Sequence, residues 1–535
     1  MSAASSSPAP SPQAASAGAK SSRVCLNCRR KKKRCDKALP SCGRCTYSLQ
    51  ACQHEDDVVL PPGSSSSQGP IRFEPFLGHH VSPTLTFASS AGDPVLEHFA
   101  SQQLAPRWNA LNQALFAPMD SAEDIHSFAF RCLSEIVGGQ RHVDYVASHY
   151  FLGVNTWFTV VERESFNRQL EDLWTTPSAE TCALILSMRL ITREPDQNNP
   201  GGMGDSLYLS VKTTLSVIQT KIPLSIPLLQ AELLVAMYEF SHSMSQQAYM
   251  TVGRCFQMSK AFNWHYKPFW SEERQRLNPR DLKLFSILWW AIVYVDCLIH
   301  VGYQDQKYPM HTSGLGSDFW IPFPEAFDQY LPGSLMIGFQ GGPIDANIDQ
   351  IDTMVWPEAS SAWYMSNVLH QLTAPSPVSP VDRNTLSGAI TQHTLQVMER
   401  NWKMGDRTGS VGTNFIALMK LNQPGLLAGF PTDNAQPIET IRSVIKSVYS
   451  TALNNAASTS RLSNGGVSPC GAFALYYASL LLISHGDGVL EDEGWLQKVE
   501  VLKKSLEWFS ARWKLADKYL ESLNIALTAR LAATH

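Results

Sequence analysis

The sequence predicts a small, cysteine-rich and strongly basic module followed by a large all-α domain. A low-complexity tail precedes the module and a flexible linker follows it. Three observations carry this expectation. Six of the eleven cysteines fall between Cys25 and Cys52. Residues 20–54 hold ten Lys or Arg against one Asp, a charge of +9, so within a net charge of −4 the rest of the chain carries −13. From about residue 95 onward apolar positions recur with a helical period, and alternating period-2 runs are scarce. At 535 residues the chain is long enough for two or three domains and a sizeable core. With 44% hydrophobic and only 17% charged residues, disorder of the whole chain is excluded. The charge split directs any polyanionic partner to the small module alone.

Residues 1–22 form the tail. Eighteen of them are Ser, Ala or Pro, too little apolar surface to fold. They also lack the apolar core and charged leading segment of a secretory signal.

Residues 23–54 form the basic module. Its cysteines repeat the unit C-x2-C-x6-C twice, as Cys25, Cys28, Cys35 and then Cys42, Cys45, Cys52. A C-x2-C pair lets two thiolates chelate one ion from a tight turn, and zinc wants four tetrahedral ligands. Two separate zinc ions would need more ligands than six cysteines provide, even with His54 added. The count closes if two thiolates, at equivalent positions of the two repeats, bridge both metals. Six thiolates around two zincs leave −2, which the adjacent run Arg29–Arg34 offsets. That run also depresses the thiol pKa values and so favours metal binding. A disulfide knot needs an oxidising compartment that nothing in the sequence indicates. Redox chemistry lacks its βαβ setting.

The stretch Cys25-Leu26-Asn27-Cys28-Arg29-Arg30-Lys31-Lys32-Lys33-Arg34-Cys35-Asp36, with Pro40-Ser41-Cys42-Gly43-Arg44-Cys45 after it, closely resembles the fungal binuclear zinc cluster transcription factors. The resemblance covers about 30 residues. It implies a binuclear zinc-cluster DNA-binding module with two zinc ions per chain, followed by a large all-α regulatory domain. It implies that Cys25 and Cys42 bridge. One zinc would take Cys25, Cys28, Cys35 and Cys42, and the other Cys25, Cys42, Cys45 and Cys52. Pro40 would shape the loop between the halves.

Cys28–Lys33 should form a short helix set against the major groove. By position, Lys31 and Lys32 match the family's base-contacting lysines, which donate to guanine O6 and N7 and favour CGG-like, G-rich triplets. Arg29, Arg30, Lys33, Arg34 and Lys37 are expected on phosphates, where they add affinity without sequence information. The same run reads as a nuclear import signal.

One such module reads about three base pairs, so specific affinity calls for a second half-site and a homodimer. The linker, residues 55–94, departs from the family's usual coiled coil. It holds Pro61, Pro62, Gly63, Gly69, Pro70 and Pro75 and no heptads. A stripe does run through Val499, Leu502, Leu506, Phe509, Trp513, Ala516, Leu520, Leu523 and Leu527. Trp508, Leu515 and Tyr519 widen it beyond a dimer seam, so packing within the chain is expected.

The body is expected as a middle regulatory domain, 95–371, and a C-terminal region, 384–535. Helices are predicted at Leu228–Phe240, Ala248–Trp264, Leu282–Val301 and from about Trp495 to Leu531. Gly- and Pro-rich breaks fall at 310–345 and Thr373–Pro380. Leu233–Phe240, Ala248–Cys255, Ala261–His265, Trp289–Asp296 and His149–Leu152 ahead of Trp157 and Phe158 look like parts of the fungal-specific transcription factor middle domain. Asp296, set in an apolar helix, needs a partner, and Arg189 and Arg254 are the candidates. Leu284–Val295 is the most apolar run, but it is short of the roughly 20 residues of a membrane span, so no membrane partner is expected.

No catalytic residue is expected. Gly204-Asp205-Ser206-Leu207 spells a hydrolase nucleophile block in the wrong, helical setting. His265 and His300 lack a metal-like i, i+4 partner. The scattered Cys132, Cys182, Cys255, Cys297 and Cys470 read as buried apolar residues. The acidic Gly486–Glu493 reads as a solvated loop rather than an activation surface.

The function these features imply is a nuclear, sequence-specific regulator of RNA polymerase II genes that works with the transcription machinery. Family habit points to a metabolic pathway, and within it to a secondary-metabolite biosynthetic gene cluster. The alternative is a ligand-sensing or protein-interaction scaffold whose zinc head serves localisation. The Trp-, Met- and Phe-rich body leaves room for a small-molecule effector.

Overall fold

The computed structural model describes residues 28–29, 34–37, 124–195, 202–266, 269–270, 276, 278–302, 308–312, 323–324, 343–344, 356–373, 379–399, 408–427, 435–457 and 466–533. The expected tail (1–22) and linker (55–94) lie outside them. Two compact units are present, residues 1–83 and 84–535.

The second unit is built of helices. In order they are α1 (Ile125–Ile136), α2 (Gln140–Leu152), a 3-10 turn (Val154–Thr156), α3 (Arg163–Asp172), α4 (Ala179–Ile191), α5 (Ser206–Lys221), α6 (Ile226–Ser241), α7 (Ser245–Ala261), α8 (Pro279–Gly302) and α9 (Trp356–Thr373). Then follow α10 (Pro380–Glu399), α11 (Thr408–Asn422), the single turn α12 (Pro424–Leu427), α13 (Ala435–Ala457), α14 (Pro469–His485), α15 (Trp495–Ser510) and α16 (Leu515–Ala533). Among the described residues the strand content is one parallel pair, β1 (Phe323–Pro324) and β2 (Pro343–Ile344), with Phe323 opposite Pro343.

Local sequence starts these helices. The Ser178 hydroxyl accepts from the Thr181 amide, Ser225 from Leu228 and Ser468 from Cys470, each at 3.3 Å, which satisfies amides that have no helical partner. Pro227 and Pro469 sit in the first turn of α6 and α14, where a missing amide costs nothing. Ser379 and Asp382 cap α10 reciprocally.

Helix α6 is buried on every side from Leu228 to Ser241 and sits at the centre of the body, against α4 and α7. α8 is longer than the expected run. It is long and apolar enough to cross a membrane, but 83% of its most apolar window is buried inside the protein, the state of a core helix.

The segments read as a middle domain and a C-terminal region share one hydrophobic core. Trp157 packs edge-on against Trp513 at 5.9 Å, and the Arg512 guanidinium donates to the Ile191 and Arg193 carbonyls at 2.6 and 2.9 Å. Helices α11 and α14 approach so closely that a Cβ on Gly412 would come within 2.9 Å of the Cys470 backbone.

The expected single helix from about Trp495 to Leu531 is instead two, α15 and α16, with a break at 511–514. Val499, Leu502, Leu506, Phe509, Trp513, Ala516 and Leu523 are all buried within the body. The stripe therefore packs inside the chain, as the wide face foretold, and forms no continuous dimer seam.

Candidate nucleic-acid interface

Of the sequence-predicted site residues, the structure describes Cys28, Arg29, Arg34, Cys35 and Lys37. Cys25, Cys42, Cys45 and Cys52, and Arg30, Lys31, Lys32 and Lys33, lie outside the described residues. The six thiols as a set, and the basic run as a set, therefore extend beyond the described residues.

Local geometry in the head is consistent with its chemistry. Cys28 and Arg29 are in helical conformation, where the short helix was expected. The Cys28 side chain is only 3% exposed, whereas its neighbour Arg29 is exposed. Thiol inward and guanidinium outward is the arrangement that a metal-centred module with a basic surface needs. Past Arg34, which is exposed, the chain runs through half-buried Cys35 and turns at Lys37, whose φ of 60° is unusual for a side-chain-bearing residue. A stretch this short has too few apolar side chains for a core of its own, so a metal is the usual staple. The donor set of six thiols fits zinc, a metal that thiolates hold well.

The body's thiols are of another kind. Burial pushes Cys182 up to about 12 and raises Cys255, Cys297 and Cys470 as well, which favours their protonated form at neutral pH. Among the described residues no cluster of metal-ligating groups forms.

Residues 23–57 match the fungal Zn(2)-Cys(6) binuclear cluster domain, and residues 147–307 match the fungal specific transcription factor domain. The chain carries the two domains of a fungal zinc-cluster transcription regulator. Transcription factor BOA15 of Botryotinia fuckeliana (strain B05.10) is 28% identical over 136 residues, spanning 25% of this chain and 74% of that protein. Both matched families are transcription factor domains and not enzyme families. Its cluster domain implies a binuclear zinc site.

The regulator's body also accounts for motifs that imitate chemistry. Asp205 of the Gly204–Leu207 block caps α5, accepting from the Tyr208 amide, and forms a salt bridge with Arg193 at 2.6 Å. Ser206 is simply the first residue of that helix. His300 Nδ1 lies 3.0 Å from the Tyr308 carbonyl. Asp296 is buried, but neither Arg189 nor Arg254 is its hydrogen-bonding partner. Its carboxylate accepts from the Thr312 amide and hydroxyl, both at 2.8 Å. Arg254 instead pairs with Glu232 at 3.0 Å. In the acidic loop, Asp487, Glu491 and Asp492 pair with Arg530, Arg442 and Lys498, which fastens the loop to α16, α13 and α15.

Sequence reasoning missed two buried polar centres. One is Arg512, which is 1% exposed. The other is the pair Glu232 and Glu239 on α6, both inaccessible, which are held by Arg254 from α7 and by Lys212 from α5. The available signal was two acids seven residues apart in an otherwise apolar helix.

Proposed function

We propose that this chain is a nuclear, sequence-specific regulator of RNA polymerase II genes that reads G-rich, CGG-like triplets in double-stranded DNA. The observation that carries the reading is the basic hexapeptide Arg29–Arg34 enclosed in the six-cysteine frame, inside a segment that matches the cluster domain. In this reading Cys25, Cys28, Cys35, Cys42, Cys45 and Cys52 hold two zinc ions, with Cys25 and Cys42 shared. The zincs supply structure, pinning the ends of the helix that carries the lysines. Lys31 and Lys32 address base edges, while Arg29, Arg30, Lys33, Arg34 and Lys37 meet phosphates. The acidic body is repelled by DNA and leaves contact to the head. The genes served belong to a metabolic pathway, with a secondary-metabolite cluster as the specific expectation. A homodimer would supply the second half-site.

The test compares the full chain with Lys32→Ala on triplet-bearing and scrambled duplexes at fixed salt. A lost base contact is worth about 1–3 kcal/mol, so the preference for the triplet falls roughly 5- to 150-fold, while binding to scrambled DNA changes little. If the substitution leaves the preference intact, the readout assignment is wrong. If the wild-type chain shows no preference at all, the zinc head serves localisation.

A further inference from the structure

The end of α6 meets the turn between α15 and α16 at a buried histidine that plays no part in reading DNA. His242 follows the last residue of α6 and is only 6% exposed. Its ring packs against Tyr238 at 4.6 Å and against Trp513 of the turn at 5.6 Å. Both neighbours are fixed from elsewhere. The Tyr238 hydroxyl donates to the Met203 carbonyl at 2.7 Å, and the Trp513 indole donates to the Val467 carbonyl at 2.8 Å.

One hydrogen bond crosses this seam at the ring itself. The Lys514 amide donates to His242 Nδ1 at 3.4 Å. An Nδ1 that accepts carries no proton, so the neutral ring bears its hydrogen on Nε2. That nitrogen is buried without a hydrogen-bond partner among the described residues. A second proton would go to Nδ1 and set one donor against another, so the bond across the seam would be lost.

The surroundings oppose that proton as well. Burial first, and then the cations of Arg512, Arg193 and Lys514, hold the His242 pKa well below the ordinary histidine value. The acids of the neighbouring elements are engaged with those cations. Asp205, at the start of α5, pairs with Arg193 at 2.6 Å, and Asp517 of α16 pairs with Lys514 at 2.9 Å. Glu194, past the end of α4, is exposed and acts on Arg512, while Arg189 of α4 adds a further positive charge beside Arg193. On α6 itself, burial keeps Tyr238 neutral, and Glu239 is held by Lys212 and Tyr208.

We propose that His242 makes this seam an acid-operated latch, in which an imidazolium formed in a buried, cationic site releases the α15–α16 turn from the end of α6. An opened chain takes up the proton near pH 6.5, the ordinary histidine value of about 6.5, whereas the closed chain does not. The latch is therefore at full strength above about pH 6.5 and weakens as pH falls, by about tenfold in the opening equilibrium for each pH unit until the closed-state value is reached. Nothing in this proposal depends on the zinc head or on its DNA preference.

The test follows amide hydrogen exchange of the full chain by mass spectrometry between pH 7 and 5, corrected for the intrinsic pH dependence of exchange. Peptides spanning 238–242 and 511–516 should lose protection roughly 25-fold over that range. In His242→Asn, whose side-chain oxygen can accept in place of Nδ1 and does not titrate, protection of the same peptides should stay level. Exchange at the imidazole C2–H of the parent chain reads the His242 titration whether or not the variant folds, and its midpoint should lie at least about one pH unit below 6.5. Seam protection that is constant from pH 7 to 5, an equal loss in His242→Asn, or an imidazole midpoint at or above about 6.5 would overturn the proposal.

Discussion

Arg512→Ala lowers the stability of the helical body by about 3–5 kcal/mol, read from the urea midpoint of the full chain. Arg512 is 1% exposed and occupies the break between α15 and α16. Its two terminal nitrogens donate to the Ile191 and Arg193 carbonyls at the end of α4, groups that the helix itself leaves unsatisfied. Each charge-assisted hydrogen bond is worth about 1.5–3 kcal/mol, and removing the donor leaves carbonyls buried without it. The guanidinium also lies 3.8 Å above the Trp513 ring. Burial lowers its pKa to about 10, which still leaves it charged at neutral pH. Arg512→Lys should recover only part of the loss, because one ammonium cannot span two carbonyls as a planar fork does. A loss below about 1 kcal/mol for the alanine variant would show that the two halves of the body do not depend on this staple.

Lys212→Met costs a similar amount at neutral pH, about 3–5 kcal/mol, and most of that loss disappears on acidification. Lys212 Nζ lies 3.1 Å from Glu239 and donates to Thr251 at 2.8 Å. Glu239 also accepts from the Tyr208 hydroxyl at 2.7 Å. Burial raises the Glu239 pKa, and Lys212 is the largest of the influences pulling it back down. The sign follows from proton uptake. With a raised folded pKa, the folded chain holds the Glu239 proton at pH values where the unfolded chain has released it. Stability is therefore fully present below the ordinary glutamate range and declines as pH rises through the folded value. Without Lys212 the folded value climbs further and the decline deepens. Urea midpoints of variant and parent between pH 5 and 8 should diverge as pH rises, and a constant gap would contradict the assignment.

The head and the body differ in how much the sequence revealed. The zinc module was legible because its logic is local. Cysteine spacing states ligand count, and the charge run between Cys28 and Cys35 states the partner. The helices were legible where apolar period and cap coincide, as at Ser225 before α6. The break at 511–514 was not, because the apolar stripe runs through it without interruption. What ends α15 is tertiary, since Arg512 and Trp513 turn inward to meet the end of α4 and the Val467 carbonyl. The partner of Asp296 was missed for the same reason. A search among cations overlooked the possibility that a buried carboxylate can be satisfied by a backbone amide and a hydroxyl such as those of Thr312. The pairing of Glu239 with Lys212 likewise joins neighbouring helices through their packing, which no periodicity encodes.

In the proposed function, a binuclear thiolate cluster in residues 23–57 gives this chain its DNA preference. The most direct measurement is the zinc content of the purified full-length chain, taken together with its binding to triplet-bearing and scrambled duplexes before and after chelation. Two zinc ions per chain are expected, with protons released as the apo-protein is reloaded and a triplet preference that is lost on chelation and returns with zinc. One zinc per chain, or a preference that survives removal of the metal, would contradict it.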